Sequence, residues 1–533
     1  MACLSPANSA LAESSAGMVT SPHALASEAG LEVLRAGGNA IEAAIAIGAT
    51  LAVTYPHFTG LGGDAFWLLS DGAGQVRGLS GIGQAAAALP AFDGAIPQRG
   101  GAAALTSAAT VDTWARAYAV AGEWGGRLGW SELFRRAIDY AHEGFALTPS
   151  QHFWQSFRRQ ELAGWAGFAD TFLPHGSLPA VGSRLRQPAL GRSLERIATH
   201  GAREFYEGEL AARIVAGLRA AGSPLTRADL AATAAREAAP LRVSYRGGEL
   251  LSLPPPTQGV TTLQILGVLE RFDVAALAEG SADYYHLLVE AVKEAFIERN
   301  RYVADPDFAE VPVVDMLSPA RLDAMARRID PQRALSWPHV YQHGDTVYLA
   351  AVDRQGRCAS VLQTIYFDWG SGVVAGDTGI LWHNRGAAFH TDPAHHNAIG
   401  PGKRPFHTLN PGMYLREGRP RLLYGTQGAD GQPQTLAAVL TRLIDYGMDP
   451  LSALARPRFL LGRTFSDARD SLKLEADAGA QVMAELAARG HEISEIPAQS
   501  PLAGHPGVIA IDADGRHCRG AHDPRSDGVA MGL

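Results

Sequence analysis

Cysteine is scarce in this chain: Cys3, Cys358 and Cys518 are scattered over 533 positions and form no CxxC pair. This argues against a disulfide framework or a cysteine-built zinc site, and fits a reducing compartment. Charge of one sign is also missing. The 46 Lys and Arg against 54 Asp and Glu leave a net charge of −8, with no long single-sign block. Nucleic acid is therefore not an expected partner, and without a basic amphipathic segment neither is a membrane surface. No apolar run reaches the length that spans a bilayer. Met1 to Gly17 has neither the basic nor the apolar region of a secretory signal, so the expected location is the cytoplasm. The remaining composition, 47% apolar and 19% charged, is ordinary for a soluble globular enzyme, and the length allows one large core or up to three smaller domains.

Ala24 to Ala36 reads as a helix stopped by Gly37-Gly38-Asn39, and Ala40 to about Val53 as a second helix too apolar to lie on a surface. Thr59-Gly60-Leu61-Gly62-Gly63-Asp64 then leads into a strand over Ala65 to Leu69. Those glycines lack the Lys-Ser/Thr pair and the GxGxxG spacing of nucleotide loops, so they read as tight backbone packing. Thr110 to Ala235 is mostly helical, and further helices start at Thr261 and span Tyr284 to Tyr302. Pro331 to Gly344 reads as an exposed connector, the kind of segment that tolerates a nick. Strands then concentrate in the last third, with Pro433 to Tyr446 as a helix, and no internal repeat is visible. Layers of strands flanked by helices predict an α+β fold.

The most informative stretch lies just after that connector. Thr346 heads a strand through Val352, Asp353-Arg354-Gln355-Gly356 turns, and a second strand from Arg357 carries Thr364. A strand-leading threonine is usually only a β-former. It becomes a nucleophile if the bond before it is cut, because the freed α-amine, with a reference pKa of roughly 8, can act as base for its own hydroxyl. A second local signal is Gly425-Thr426-Gln427-Gly428-Ala429-Asp430, a glycine-bearing loop just before a helix, which presents free N–H donors at a positive dipole end.

An ordered series of motifs ties these signals together. It runs through Gly17-Met18-Val19, Gly37-Gly38-Asn39-Ala40, Gly60-Leu61-Gly62-Gly63, Pro254 to Gly259, Glu290-Ala291 and Tyr302 to Phe308. After the threonine come Gly370 to Gly376, Gly402-Lys403-Arg404-Pro405 and Asp523-Pro524-Arg525. Covering nearly the whole chain, the series resembles the gamma-glutamyltransferase family of Ntn-hydrolases. The resemblance implies a four-layer αββα sandwich and a precursor cut between Asp345 and Thr346. The α-subunit would be residues 1–345, the β-subunit 346–533, the two staying associated, with further homo-oligomers open. It casts Thr346 as nucleophile, Thr364 as the hydroxyl holding the nucleophile's Oγ, and the backbone N–H groups of Gly428 and Ala429 as the oxyanion hole. Ala429 stands where the family has glycine, which a backbone donor tolerates if φ is negative. No metal or organic cofactor is implied.

The specificity residues depart from the family. No arginine lies between Arg77 and Arg99, where a carboxylate clamp is expected in the segment of Leu79 to Gln84. Tyr366 replaces an asparagine, Ala388 an acidic partner for an amino group, and His407-Thr408 a pair of serines. Losing a cation and an anion together disfavours a zwitterionic glutamyl group. Tyr366, Arg385, His407 and Thr408 are the candidate substrate-binding residues in its place, with Arg385 equally readable as a structural surface residue. The short segment Phe389 to Gly400 favours hydrolysis over transfer, and its His390, His395 and His396 read as solvated loop residues. The expected activity is hydrolysis of a small amide bearing one carboxylate, oxamate to oxalate and ammonia first among candidates. A glutathione hydrolase or transferase, a cephalosporin-type acylase and an inactive binding scaffold remain as alternatives.

Overall fold

The computed structural model describes residues 10–337, 344–464 and 469–533. Cys3 and the stretch around Pro338 of the expected connector lie outside the described residues. Two antiparallel sheets, each of seven strands, stack face to face. The first runs Ala12–Ser14, Cys518–His522, Gly507–Ile511, Arg419–Gly425, Gly412–Arg416, Gly248–Ser252, Leu241–Tyr245. The second runs Val529–Gly532, Met18–Ser21, Asp345–Val352, Cys358–Tyr366, Asp64–Ser70, Val76–Gly81, Arg236–Ala238. Strands thus come from the whole chain, not mainly from its last third as the sequence suggested. The N-terminal ones are short and hidden among longer helical patterns.

Side-chain alternation builds the layers. Along Asp345–Val352, Tyr348, Ala350 and Val352 face the other sheet and meet Met413, Leu423 and Ile509. Val347, Leu349 and Ala351 point the other way, into a helical layer containing Ile45, Leu51 and Trp114. The far sheet is covered by helices Gly259–Leu269, Ala282–Tyr302 and Gly431–Ile444. The result is an αββα sandwich. Its central helix, Ala40–Thr54, is buried along its whole length, as its apolar run requires. A capping box starts it: Asn39 Oδ1 accepts from the Ile41 and Glu42 N–H groups, and Glu42 accepts from Asn39 N–H at 2.6 Å.

The Gly60–Asp64 loop is packed against backbone, as its glycines suggested. A Cβ on Gly63 would lie 2.0 Å from the Thr364 carbonyl oxygen, and one on Gly62 would lie 2.4 Å from that of Leu381. The two glycines therefore let this loop approach the end of the Cys358–Tyr366 strand, where Asp64 pairs with Thr364.

Candidate functional site

The expected cleavage position lies inside a strand rather than at its head, since Asp345–Val352 runs through the bond before Thr346. Register against the neighbouring strand breaks there: Asp345 opposes Tyr366 while Val347 opposes Gln363. One residue, Thr346, therefore faces two, Thr364 and Ile365, in a β-bulge of the kind that re-aims side chains. Thr346 is 1% exposed, and its Oγ1 accepts from Gln432 Nε2 at 3.4 Å. The Thr364 hydroxyl does not reach that oxygen in the uncut chain. It donates instead to the Asp345 carbonyl oxygen at 2.5 Å, the carbonyl of the bond in question, and accepts from Tyr366 N–H at 2.7 Å.

The Gly428-Ala429 loop precedes helix Gly431–Ile444 and closes on the same place. A Cβ on Gly344 would come within 3.3 Å of the Ala429 methyl group. Neither the Gly428 nor the Ala429 N–H has a hydrogen-bond partner among the described residues. The expected negative φ of Ala429 is not found: it is +47°, with Gly428 at +122°. A left-handed alanine costs about 1–2 kcal/mol, and its surroundings hold it there. Gln258 Nε2 donates to the Ala429 and Thr408 carbonyls, both at 2.8 Å. Arg299 donates to Gln258 Oε1 at 2.9 Å and pairs with buried Asp430 at 2.8 and 3.1 Å. Gln258, Arg299 and Gln432 carry no signal in the sequence that marks them as site residues, though Gln258 lies in one of the shared motifs.

Arg385 is not a surface residue. It is fully buried, and none of its three guanidinium nitrogens has a hydrogen-bond partner among the described residues. Its guanidinium lies 3.7 Å from the Tyr366 ring centroid, a cation–π contact. Burial lowers its pKa to about 10, partly offset by Tyr366 and Asp64. Tyr366 takes a positive φ of 78° and stacks on Phe367 at 4.5 Å. Burial pushes its phenol up to about 12 against the pull of Arg385. Thr408 Oγ1 is also buried without a partner.

His407 is placed differently from these. Its Nε2 lies 3.3 Å from Asp64 Oδ2 and its Nδ1 accepts from Leu409 N–H at 3.4 Å, so both nitrogens are occupied within the protein. Burial, then the nearby Arg385, holds it neutral, with a pKa near 3 despite Asp64. Asp64 is the fixed point of this floor. Burial alone would raise it, but His383, His407 and the Gly83 N–H keep its carboxyl below the ordinary value.

Beside Asp345, the residue before Thr346, opens a cavity of about 230 Å³ lined by Trp154, Arg158, Asp345, Asp368, Gln427 and Gly428. Arg158, from helix Pro149–Leu162, and Arg99 bring cations here from segments in which the motifs mark nothing. Elsewhere, His390, His395 and His396 stack at 4.3 and 4.2 Å and line a separate pocket with Arg299 and Phe406. His390 is exposed as expected, while His395 and His396 are half-buried and His396 is lowered to about 4 by burial. One group among the described residues has metal-ligand spacing, His286, Glu290 and His491. Its atoms are already engaged: His286 Nδ1 meets His491 Nε2 at 2.8 Å and Glu290 pairs with Lys293 at 2.8 Å.

Comparison with known proteins agrees with this architecture. The chain matches the gamma-glutamyltranspeptidase family over residues 26–533. It is 44% identical over 522 residues to an oxamate amidohydrolase proenzyme of Klebsiella pneumoniae, covering 97% of this chain and 98% of that one. A glutathione hydrolase-like proenzyme of Bacillus subtilis is 40% identical over 521 residues, with coverage of 97% and 98%. Among solved structures, a cephalosporin acylase from Bacillus halodurans superposes with a TM-score of 0.91 at 32% identity, over 99% of this chain and 98% of the other.

Proposed function

Because the chain belongs to the gamma-glutamyltranspeptidase family, we propose that it is a self-processing threonine amidohydrolase acting on a small amide that carries a carboxylate. That it is a hydrolase with the Ntn fold follows from the family and its relatives; the nucleophile, cut site and substrate are our reading. The single observation that carries the substrate assignment is Arg385, a buried guanidinium with three unpartnered nitrogens beside Tyr366. An unpaired buried charge is costly, and a substrate carboxylate is the partner that relieves it. An arginine fork suits a planar carboxylate. The clamp lost from Leu79 to Gln84 is thereby replaced by a cation, and Ala388 supplies no acid for an amino group where the family has one.

The steps follow from the donors in place. Thr346 Oγ attacks the Asp345 carbonyl carbon, whose oxygen already accepts from Thr364. The C–N bond breaks, the hydroxyl proton ends on the departing amine, and water clears the ester to leave residues 1–345 and 346–533. In turnover the freed amine takes the Thr346 proton. The unpartnered N–H groups of Gly428 and Ala429 receive the oxyanion, and water releases the acid after ammonia has left. Each such donor is worth roughly 3 kcal/mol.

Two results are expected. Thr364→Ala removes the donor on the bond to be cut, and loss of intact chain on denaturing electrophoresis should slow by about 10²–10³-fold. In a panel of oxamate, glutamine and a γ-glutamyl anilide, ammonia release should be fastest from oxamate. A clear preference for the anilide sinks the substrate assignment and favours the glutathione hydrolase reading, which the Bacillus subtilis relative keeps open.

A further inference from the structure

Three carboxylates and two cations cluster around Asp345 and Asp368. Asp368 is 2% exposed; Arg158 grips it through Nε at 2.6 Å and Nη2 at 3.1 Å, and Arg99 lies 3.8 Å from it. Both arginines are shared with Glu161, 2.7 Å from Arg99 and 3.2 Å from Arg158. The Asp345 side chain turns inward onto this cluster, accepting from Gln427 Nε2 at 3.0 Å and from the Asp368 N–H. At the end of the core helix the Tyr55 hydroxyl is hydrogen-bonded to Ser150 at 3.1 Å and feels Asp527 and, more weakly, the Asp345 carboxyl. With every acid ionised, the cluster holds one negative charge more than its cations neutralise.

One proton on the cluster would balance it. Although Asp345 is only half-buried, desolvation, then Asp368, pushes its carboxyl well above the usual carboxylate range, against Arg158 and Arg99. Burial likewise raises Asp368 despite its ion pair. Two carboxyls that line one cavity wall, one of them accepting from the other's backbone N–H, titrate as a coupled pair in which the second ionisation is disfavoured.

We propose that Asp345 and Asp368 hold one proton between them and that this shared proton sets the rate of self-cleavage, with Asp368 as the positioning residue. The inference rests on the proposed self-cleavage at Thr346. Attack by Thr346 Oγ forms the Oγ–C bond and moves negative charge onto the oxygen of Asp345 itself, before the C–N bond breaks and the proton passes to the amine. While the pair keeps its proton, that charge develops against the Thr364 donor alone. Once the pair is fully ionised, it develops beside an uncompensated carboxylate, and the step slows. Because the raised groups are protonated below their folded pKa, the slowing appears as pH rises.

Full-length chains from brief cell-free synthesis, transferred to buffers between about pH 5.5 and 9.5, provide the test. Loss of intact chain is followed for the natural sequence, Asp345→Asn and Asp368→Asn. The ratio of the natural rate constant to that of Asp345→Asn should fall at least tenfold from the acid to the alkaline end. Asp368→Asn, which leaves Arg158 free to neutralise Asp345, should flatten the fall. A ratio independent of pH in both comparisons overturns the shared proton while leaving self-cleavage standing. No cutting at any pH in any of the three chains overturns both.

Discussion

Thr346→Ala is expected to yield one uncut polypeptide of 56.4 kDa with no measurable amide hydrolysis. Without the hydroxyl there is no atom to attack the Asp345 carbonyl, and without the cut there is no α-amine to act as base. Truncation of one side chain at Cβ therefore removes nucleophile and base together. Losses from deleting a catalytic nucleophile reach about 10⁶-fold, and here the remaining donors also stay covered by the chain before Thr346. The fold itself should survive. Thr346 Oγ1 makes one long contact, 3.4 Å to Gln432, and its strand is held by pairing along Val347–Val352. Denaturing electrophoresis and an ammonia assay read the outcome. Two subunits still forming in this variant would move the cut site elsewhere, and intact hydrolysis by an uncut chain would remove the N-terminal amine from the mechanism.

What the sequence made legible was local chemistry. Glycines at Gly62 and Gly63, the Thr346–Thr364 hairpin and the loop before helix Gly431–Ile444 are short-range patterns, and each sits where its pattern required. The sandwich was legible only through the family resemblance, because its N-terminal strands are short beside the helices around them. Burial and pairing were not legible at all. Arg385 read equally well as a surface residue, since nothing in Asn384-Arg385-Gly386 tells whether a guanidinium meets water or Tyr366. The Arg158–Asp368 pair joins residues 210 positions apart. The φ of Ala429 is imposed from outside its own segment by Gln258, itself held by Arg299. In each case a contact across the fold decides what the side chain does.

Arg385→Met is expected to separate activity from stability. In the free protein the guanidinium is buried with no hydrogen-bond partner among the described residues, its main contact being the Tyr366 ring. Even lowered to about 10 by burial, it remains charged at neutral pH. Desolvating that charge is unfavourable, so an apolar side chain of similar length should leave stability unchanged or raise it. The apparent Tm should stay level or rise slightly, by about 1 °C for each kcal/mol recovered in a chain of 533 residues. On the proposed reading, the substrate by contrast loses the cation that holds its carboxylate. A hydrogen bond to a charged group contributes roughly 1.5–3 kcal/mol, so losing a two-pronged contact should lower kcat/KM for oxamate by about 10²–10⁴-fold, with about 1.4 kcal/mol per tenfold. Self-cleavage should continue, because the internal bond needs no anion site; two subunits on a gel show that the nucleophile is intact. Arg385→Lys should recover little, since a point charge on a flexible stem does not reproduce the planar fork. The opposite pattern, a Tm falling by many degrees with kcat/KM preserved in the folded fraction, would make Arg385 a structural cation. The carboxylate would then have to be sought at Arg158, on the open side of the cavity.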